Sequence, residues 1–455
     1  MSAVLDLAAH DVPLARARLE LLFDAGSFRP TRSAVGDGVV AGSGRVAGRP
    51  LHAWAQDGTH KGGSLGAAGG ETIARTIRRA AATGTPVVGF PHSGGARLQE
   101  GVAALTAYGA IFRAQSLATV PQISVISGPC AGGAAYSPTL GDLTVMAGAE
   151  ARMFLTGPQI IERVTRERIS AEDLGGAKVH GRNGVAHLVA PDDVAAADLV
   201  RRVLGFLPSV AGGGLPVAPP APPRPGDPGH VVPERDREVY DVRDVAARIL
   251  DGGDLLELAP RWARNLVTGF GRLDGHPVGL IANQPRHLGG CLDADSAQKG
   301  SWFVDLCDRY GLPLVVLVDT PGFLPGARQE RDGVLRHGAG LLRAFSCATV
   351  PRVTVTLRQA FGGAHIVMNS RDLGADAALA WPGARIGVMG ARQAVELVER
   401  RRIAAGADAA ALADAYADEH LPVGRAAAEG FVDEVVAPDE TRDRLIGELE
   451  VRGWQ

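Results

Sequence analysis

Val40-Ala-Gly-Ser-Gly-Arg-Val-Ala-Gly-Arg-Pro50 returns later in the chain as Val267-Thr-Gly-Phe-Gly-Arg-Leu-Asp-Gly-His-Pro277. Other echoes keep step with this pair. Gly84-Thr-Pro86 becomes Gly311-Leu-Pro313, and Thr119-Val-Pro121 becomes Thr349-Val-Pro351. Gly132-Gly133-Ala134 becomes Gly362-Gly363-Ala364, each time after a β-rich run. The offset is 227 residues up to Gly95 and Gly322 and 230 from Glu100 and Glu330, so one loop has gained three residues. Such self-similarity marks a tandem duplication. A duplicated domain can present one backbone feature twice, to two chemically similar groups.

Within each half, short β-rich runs alternate with helix-length stretches. The runs are Pro86–Phe90, Gln122–Ser127, Leu314–Val318 and Arg352–Leu357, and the clearest helical stretches are Glu71–Thr83 and Ala297–Tyr310. An amphipathic helix is expected over Val12–Phe28, ending at Gly26, with a counterpart in Val242–Leu255. This alternation predicts an α/β protein of stacked β-α units with crossovers. Pro208–Pro233 is dense in proline and glycine and reads as a semi-extended linker. The expected organisation is therefore an N-terminal domain 1–207, a linker 208–239 and a C-terminal domain 240–455.

Composition narrows the function. With 47 basic and 50 acidic residues, binding nucleic acid through bulk charge is not expected. The only lysines are Lys61, Lys178 and Lys299. Cys130, Cys291, Cys307 and Cys347 are scattered, so neither a zinc ribbon nor a disulfide framework is expected, and no metal site is predicted. Met1–Asp24 carries acids instead of a basic-then-apolar leader, and no apolar run reaches spanning length. A cytoplasmic protein without membrane contact is the expectation.

The chemistry is expected at Gly128-Pro-Cys-Ala-Gly-Gly-Ala134, directly after Ile123-Ser-Val-Ile-Ser127. A strand, a glycine pair and a helix start can leave backbone N–H groups free, with positive helix-end potential behind them. Such donors stabilise charge on a thioester oxygen as it becomes an enolate. Glycines at a strand–helix junction also serve tight packing, but recurrence at Gly362-Gly363 favours function. The loops after Phe90 and Val318 lie at strand carboxyl ends, where ligands of open α/β layers gather. In the first of them, Arg97 could pair with a phosphate or carboxylate, or simply with Glu100. The loop Lys61-Gly-Gly-Ser-Leu-Gly66 lacks the ending of a nucleotide-phosphate cradle. Cys130 reads as a packing residue and not as a nucleophile, and His92 and His365, one in each half, belong to no triad. Glu399–Ala405 reads as a solvated helix face.

These motifs carry a resemblance. Ser93-Gly-Gly-Ala-Arg-Leu-Gln-Glu-Gly101, Gly128-Pro-Cys-Ala-Gly-Gly-Ala-Ala-Tyr-Ser-Pro138, Leu174-Gly-Gly-Ala-Lys-Val-His180 and Ala282-Asn-Gln-Pro285 resemble the carboxyltransferase (β) subunits of biotin-dependent acyl-CoA carboxylases. Pro321-Gly-Phe-Leu-Pro-Gly326, Arg336-His-Gly-Ala339, Gly362-Gly-Ala364 and Leu373-Gly-Ala-Asp376 extend the match over about Leu14–Leu449, and among the better-known members the chain looks most like propionyl-CoA carboxylase β subunits and their broad-specificity bacterial relatives.

The resemblance implies tandem crotonase-like β-α superhelical domains, the first on the acyl-CoA side and the second on the biotin side. It implies a homo-oligomer, a hexamer, with sites between protomers. Gly132 and Gly133 would hold the thioester oxygen of the coenzyme A substrate, and Gly362 and Gly363 the ureido oxygen of biotin. Ser93, Gly94, Gly95, Ala96, Arg97, Ala131, Ala364, His365 and Ile366 would line the substrate sites. Carboxybiotin on a partner carrier would release CO2, the biotin anion would take the α-proton, and the enolate would attack CO2. Because the chain has no Met-Lys-Met biotinylation site, biotin carboxylase and biotin carrier would be separate chains.

Some positions depart from the family pattern. Pro91-His92 stands for the usual Asn-Asp, Ser301-Trp302-Phe303 for small-Arg-Phe, and Phe361-Gly-Gly-Ala-His365 for Tyr-Gly-Gly-Ala-Tyr. Ile366 sits where propionyl-specific members tend to carry Asp. These changes leave two alternatives: a biotin-independent malonyl- or methylmalonyl-CoA decarboxylase, and a non-catalytic scaffold subunit of a carboxylase complex.

Overall fold

The opening repeat folds as a β-hairpin in each half. Val39–Val46 pairs antiparallel with Arg49–Gln56, and Leu266–Leu273 pairs with His276–Asn283. The turn residues Ala47-Gly48 (φ 48° and 78°) and Asp274-Gly275 (φ 48° and 80°) are left-handed in succession. This two-residue turn matches strand twist and explains why a glycine recurs just before Arg-Pro and His-Pro.

The computed structural model describes residues 14–235 and 238–453, and these divide into two units after Gly214. In the first unit a seven-stranded sheet runs Arg29–Thr31, Val39–Val46, Arg49–Gln56, Val87–Phe90, Gln122–Ile126, Leu143–Ala147, Leu188–Ala190. In the second the order is Leu256–Leu258, Leu266–Leu273, His276–Asn283, Leu314–Thr320, Arg352–Phe361, Ala377–Ala380, Glu434–Val435. Each sheet is antiparallel over its first three strands and parallel from there on. The inner parallel strands Val87–Phe90, Gln122–Ile126 and Leu314–Thr320 are buried at every residue, as strands covered on both faces must be. Trp54, Ile73, Ile77, Tyr108 and Ile111 belong to the core of the first unit, and Val315, Leu317, Val355, Trp381 and Leu445 to that of the second.

The units differ at one strand. Gln122–Ile126 ends before Gly128, and a separate strand, Pro129–Ala131, pairs with Arg152–Phe154. In the second unit one strand, Arg352–Phe361, pairs first with Ala377–Ala380 and then with Arg385–Gly387. Either arrangement delivers the chain to its glycine pair.

Local boundaries move for identifiable reasons. The first helix covers Leu14–Leu22, because the Asp24 N–H turns away to the Arg45 carbonyl (2.8 Å); Val12 and Pro13 lie outside the described residues. The counterpart in Val242–Leu255 is α-helical only over Val242–Ala246, with a 3-10 turn at Asp251–Gly253. The two long helices begin earlier than expected, at Ala67 and Ala294, the second fixed by a capping box of Asp293 and Ser296. The Pro-rich segment is docked: Ala211 N–H donates to Thr119 O (2.8 Å), Ala218 N–H to Gly275 O (3.0 Å) and Arg224 N–H to Ala247 O (2.9 Å). Pro228–Val231 forms a 3-10 turn within it. Arg400–Ala404 is a short helix with no buried residue. Among the described residues, no helix is long and apolar enough to cross a membrane.

Candidate functional site

Each unit builds its site from a strand-end loop, a glycine turn that grips it and a glycine-led helix start. In the first unit the loop Ser93–Arg97 leaves strand Val87–Phe90 and is held on two sides. On one side Leu65 N–H donates to Gly95 O and Arg97 N–H donates to Leu65 O, both at 2.9 Å. On the other, Ser93 N–H donates to Pro129 O (2.8 Å) and Ala131 N–H to Ser93 O (2.9 Å). The side chain of Ser93, fully buried, accepts from Gly95 N–H at 3.1 Å. The second unit repeats the plan: Leu292 N–H donates to Gly322 O (3.1 Å), Leu324 N–H to Leu292 O (2.7 Å), and Gly322 N–H to Thr320 Oγ1 (3.3 Å).

The gripping turn was hidden in the Lys61–Gly66 loop. Gly63 (φ 69°) packs against the strand-end carbonyl so closely that a Cβ would lie 2.4 Å from His92 O. Gly290 (φ 79°) does the same, 2.4 Å from Asp319 O. Their shared 227-residue offset was the available signal.

The first glycine pair opens the helix Gly133–Leu140. Gly132 has φ 62° and ψ −132°, a conformation open to glycine, and its N–H donates to Phe154 O at 3.1 Å. That leaves the first-turn N–H groups of Gly133 and Ala134, which cannot bond within the helix. Across from them, the Gly94 and Ala96 N–H groups have no hydrogen-bond partner among the described residues. Gly95 and Gly132 lie close enough that a Cβ on Gly132 would stand 3.8 Å from Gly95 Cα. The second pair opens the helix Gly362–Val367, with φ 60° at Gly362. Gly362, Gly363, His365 and Ile366 border a cavity of about 630 Å³, walled further by Val388, Tyr416, Leu421 and Phe431.

The other residues singled out in the sequence fall as follows. Arg97 is 3% exposed; its guanidinium pairs with Asp37, with Glu100 (2.7 Å) and with Ser64 O (2.8 Å). It braces the loop from beneath. Cys130 is buried, and burial pushes its thiol up to about 12, so it stays protonated and serves packing. His92 fits a slot where a Cβ on Gly58 or Gly128 would meet its ring at 2.3 or 2.6 Å. Burial, then the Arg18 charge, holds its imidazole below the usual value against Asp57 and Asp193, and its Nδ1 has no partner among the described residues. At the equivalent position Asp319 accepts from Tyr240 Oη (2.8 Å) and pairs with Arg358 (3.1 Å), while burial raises its carboxyl. His365 is lowered by burial, opposed by Asp372. Lys299 is fully buried, its Nζ donating to Ala259 O, Trp262 O and Leu266 O at 3.1, 3.0 and 2.7 Å. Among the described residues, no group of three or more His, Cys, Asp or Glu side chains could hold a metal ion.

Residues 11–453 match the family described as the carboxyl transferase domain. The chain belongs to that family. This carboxyltransferase is 44% identical to the methylmalonyl-CoA carboxyltransferase 12S subunit of Propionibacterium freudenreichii subsp. shermanii, covering 96% of this chain and 88% of the relative. It is 44% identical to the propionyl-CoA carboxylase beta chain of Saccharopolyspora erythraea, with 96% and 87% covered. It is also 42% identical to the methylmalonyl-CoA decarboxylase subunit alpha of Propionigenium modestum, with 95% and 88% covered. Its structure matches the transcarboxylase 12S crystal structure, a hexamer with methylmalonyl-coenzyme A and methylmalonic acid bound, at a TM-score of 0.92 and 44% identity. That match covers 96% of this chain and 89% of the other. The carboxyltransferase thus has the crotonase fold expected from its motifs, in two copies.

Proposed function

We propose that this carboxyltransferase moves a carboxyl group from biotin on a partner carrier chain to the α-carbon of a short acyl-CoA. The observation that carries the reading is the pair of glycine-led helix starts, one in each unit, with first-turn amides free of intrahelical bonds. In the first unit Gly133 N–H and the amide of Ala96 receive the thioester oxygen. As the α-carbon loses its proton, negative charge grows on that oxygen, and each such donor lowers the barrier by about 3–4 kcal/mol. The helix end behind Gly133 adds positive potential without a counter-ion.

The second unit fits biotin. Its cavity of about 630 Å³ joins apolar walls at Tyr416, Leu421 and Phe431 to the amide-bearing Gly363, as a small bicyclic urea requires. Bound there in carboxylated form, biotin supplies CO2 and then a base, so no side-chain base is assigned. Gly362 and Gly363 would hold the ureido oxygen through their N–H groups, while His365 and Ile366 shape the wall. Carriage of biotin on a separate chain is supported by the burial of the Lys299 amine and by the lack of a Met-Lys-Met sequence around Lys61 or Lys178. A separate biotin carboxylase and carrier therefore complete the reaction, and the protein works as a homo-hexamer with sites between protomers, like the hexameric 12S relative.

The test is reverse transfer from malonyl-CoA or methylmalonyl-CoA with and without free biotin. Biotin-dependent loss of the carboxyl group is expected. Equal loss without biotin would make the protein a decarboxylase that needs no second site, and no loss with any short acyl-CoA would leave a scaffold subunit.

A further inference from the structure

We infer that Tyr108 is a positioning residue that ties the two sides of the first oxyanion site together. The inference rests on the proposed acyl-CoA chemistry, but its geometry stands independently. Tyr108 lies on the helix Val102–Leu117, outside every motif singled out in the sequence, and is 5% exposed. Its ring lies under the start of the glycine-led helix: a Cβ on Gly133 would stand 3.2 Å from Tyr108 Cγ. Its hydroxyl is 3.2 Å from Ser93 Oγ, the atom that also accepts from Gly95 N–H. One side chain thus fixes the depth of Gly133 by contact and the height of the Gly94–Ala96 amides by a hydrogen bond. Those are the two donors whose spacing decides whether one oxygen can accept from both.

The second unit solves the same problem differently. By the repeat offsets, Tyr108 corresponds to Gly338 and Ala96 to Phe323. A Cβ on Gly338 would meet Phe323 Cζ at 3.1 Å, and one on Gly363 would meet the same ring at 3.8 Å. Each unit therefore sets an aromatic ring beneath its second glycine. Phe323 belongs to the strand-end loop itself, so ring and loop move as one. Tyr108 comes from a helix and reaches its loop only through the hydroxyl. That hydroxyl is neutral at working pH, since burial pushes it up to about 12, which suits a tether and not a proton shuttle.

Tyr108→Phe keeps the ring and removes the tether. Expected are a fall in kcat of about tenfold for biotin-dependent carboxyl loss, a KM for the acyl-CoA within about twofold, and a pH profile of unchanged shape. Ser93→Ala should fall at least as far, since it also removes the acceptor of Gly95 N–H, and the double variant should fall no further than Ser93→Ala, because the Tyr108–Ser93 bond is common to both. Amide exchange over Ser93–Gly101 should quicken in Tyr108→Phe, a readout independent of turnover. Unaltered kcat in an active enzyme, additive losses, or unaltered exchange would overturn the inference. A wild-type protein inactive toward every acyl-CoA, with quickened exchange in the variant, would instead count against the reaction and leave the tether standing.

Discussion

The two glycine pairs share a backbone and differ in what lies under it. Gly132 and Gly362 have φ values of 62° and 60°, and each hands the chain to a helix. Beneath Gly133 the Tyr108 ring is already tight at 3.2 Å, whereas beneath Gly363 the Phe323 ring stands off at 3.8 Å and the glycine borders a cavity. The first site is closely supported from below, and the second opens onto a cavity large enough for a ring system. Glycine turns that match in φ at their first residue can thus serve a small oxygen-bearing group in one half and a bulkier one in the other. The specialisation lies in the second layer of side chains.

The strongest way to break this comparison is to add bulk at both glycines. Gly133→Val and Gly363→Val should each cut biotin-dependent transfer by 100-fold or more, on the order of the loss of an oxyanion donor. Only Gly133→Val should also lower the melting temperature, because its side chain drives into Tyr108. Equal melting losses in both would mean that the stand-off beneath Gly363 is not real space.

A second pair tests the shared part of the plan. Gly63→Ala and Gly290→Ala place a Cβ 2.4 Å from a backbone carbonyl at left-handed φ, so each should cost about 3 kcal/mol in its own unit, read by chemical denaturation. A large difference between the two would show that the turns are not equivalent supports.

The smallest effect concerns the residues whose carbonyls those glycines touch. Burial lowers His92 and raises Asp319. For His92 the unfolded chain takes up the proton first, so its contribution is complete above about pH 6.5 and is lost as pH falls into the depressed range. For Asp319 the sign reverses: the unfolded chain ionises first, and stability is lost as pH rises from about 3.8 through the raised value. His92→Asn should therefore flatten the decline of melting temperature below about pH 6.5, whereas Asp319→Asn should not. A steeper decline in His92→Asn would reverse the assignment.

Much of this was legible from the chain. The repeat offsets located both hairpins, the inner strands and both glycine pairs, because turn glycines and buried β-branched runs carry local constraints. Other features depended on contacts distant in sequence. Nothing around Gly132 announces that its N–H is taken by Phe154, and nothing in Ser93–Glu100 shows that Arg97 is buried against Asp37. The strand beginning at Arg352 runs on to Phe361 because Arg385–Gly387 offers a second ladder, which local propensity cannot foresee. Tyr108 and Phe323 trade places between helix and loop, so the ring under each glycine escapes an in-register comparison of the halves.

The grip of Gly63 on His92 and of Gly290 on Asp319 has an evolutionary consequence. It is made by a glycine on a main-chain oxygen, and such a contact is blind to the side chain the oxygen belongs to. The architecture can therefore be inherited unchanged while the residue at the strand end mutates from acid to imidazole. After duplication, the two copies could drift apart in charge without losing the shape that made either of them useful.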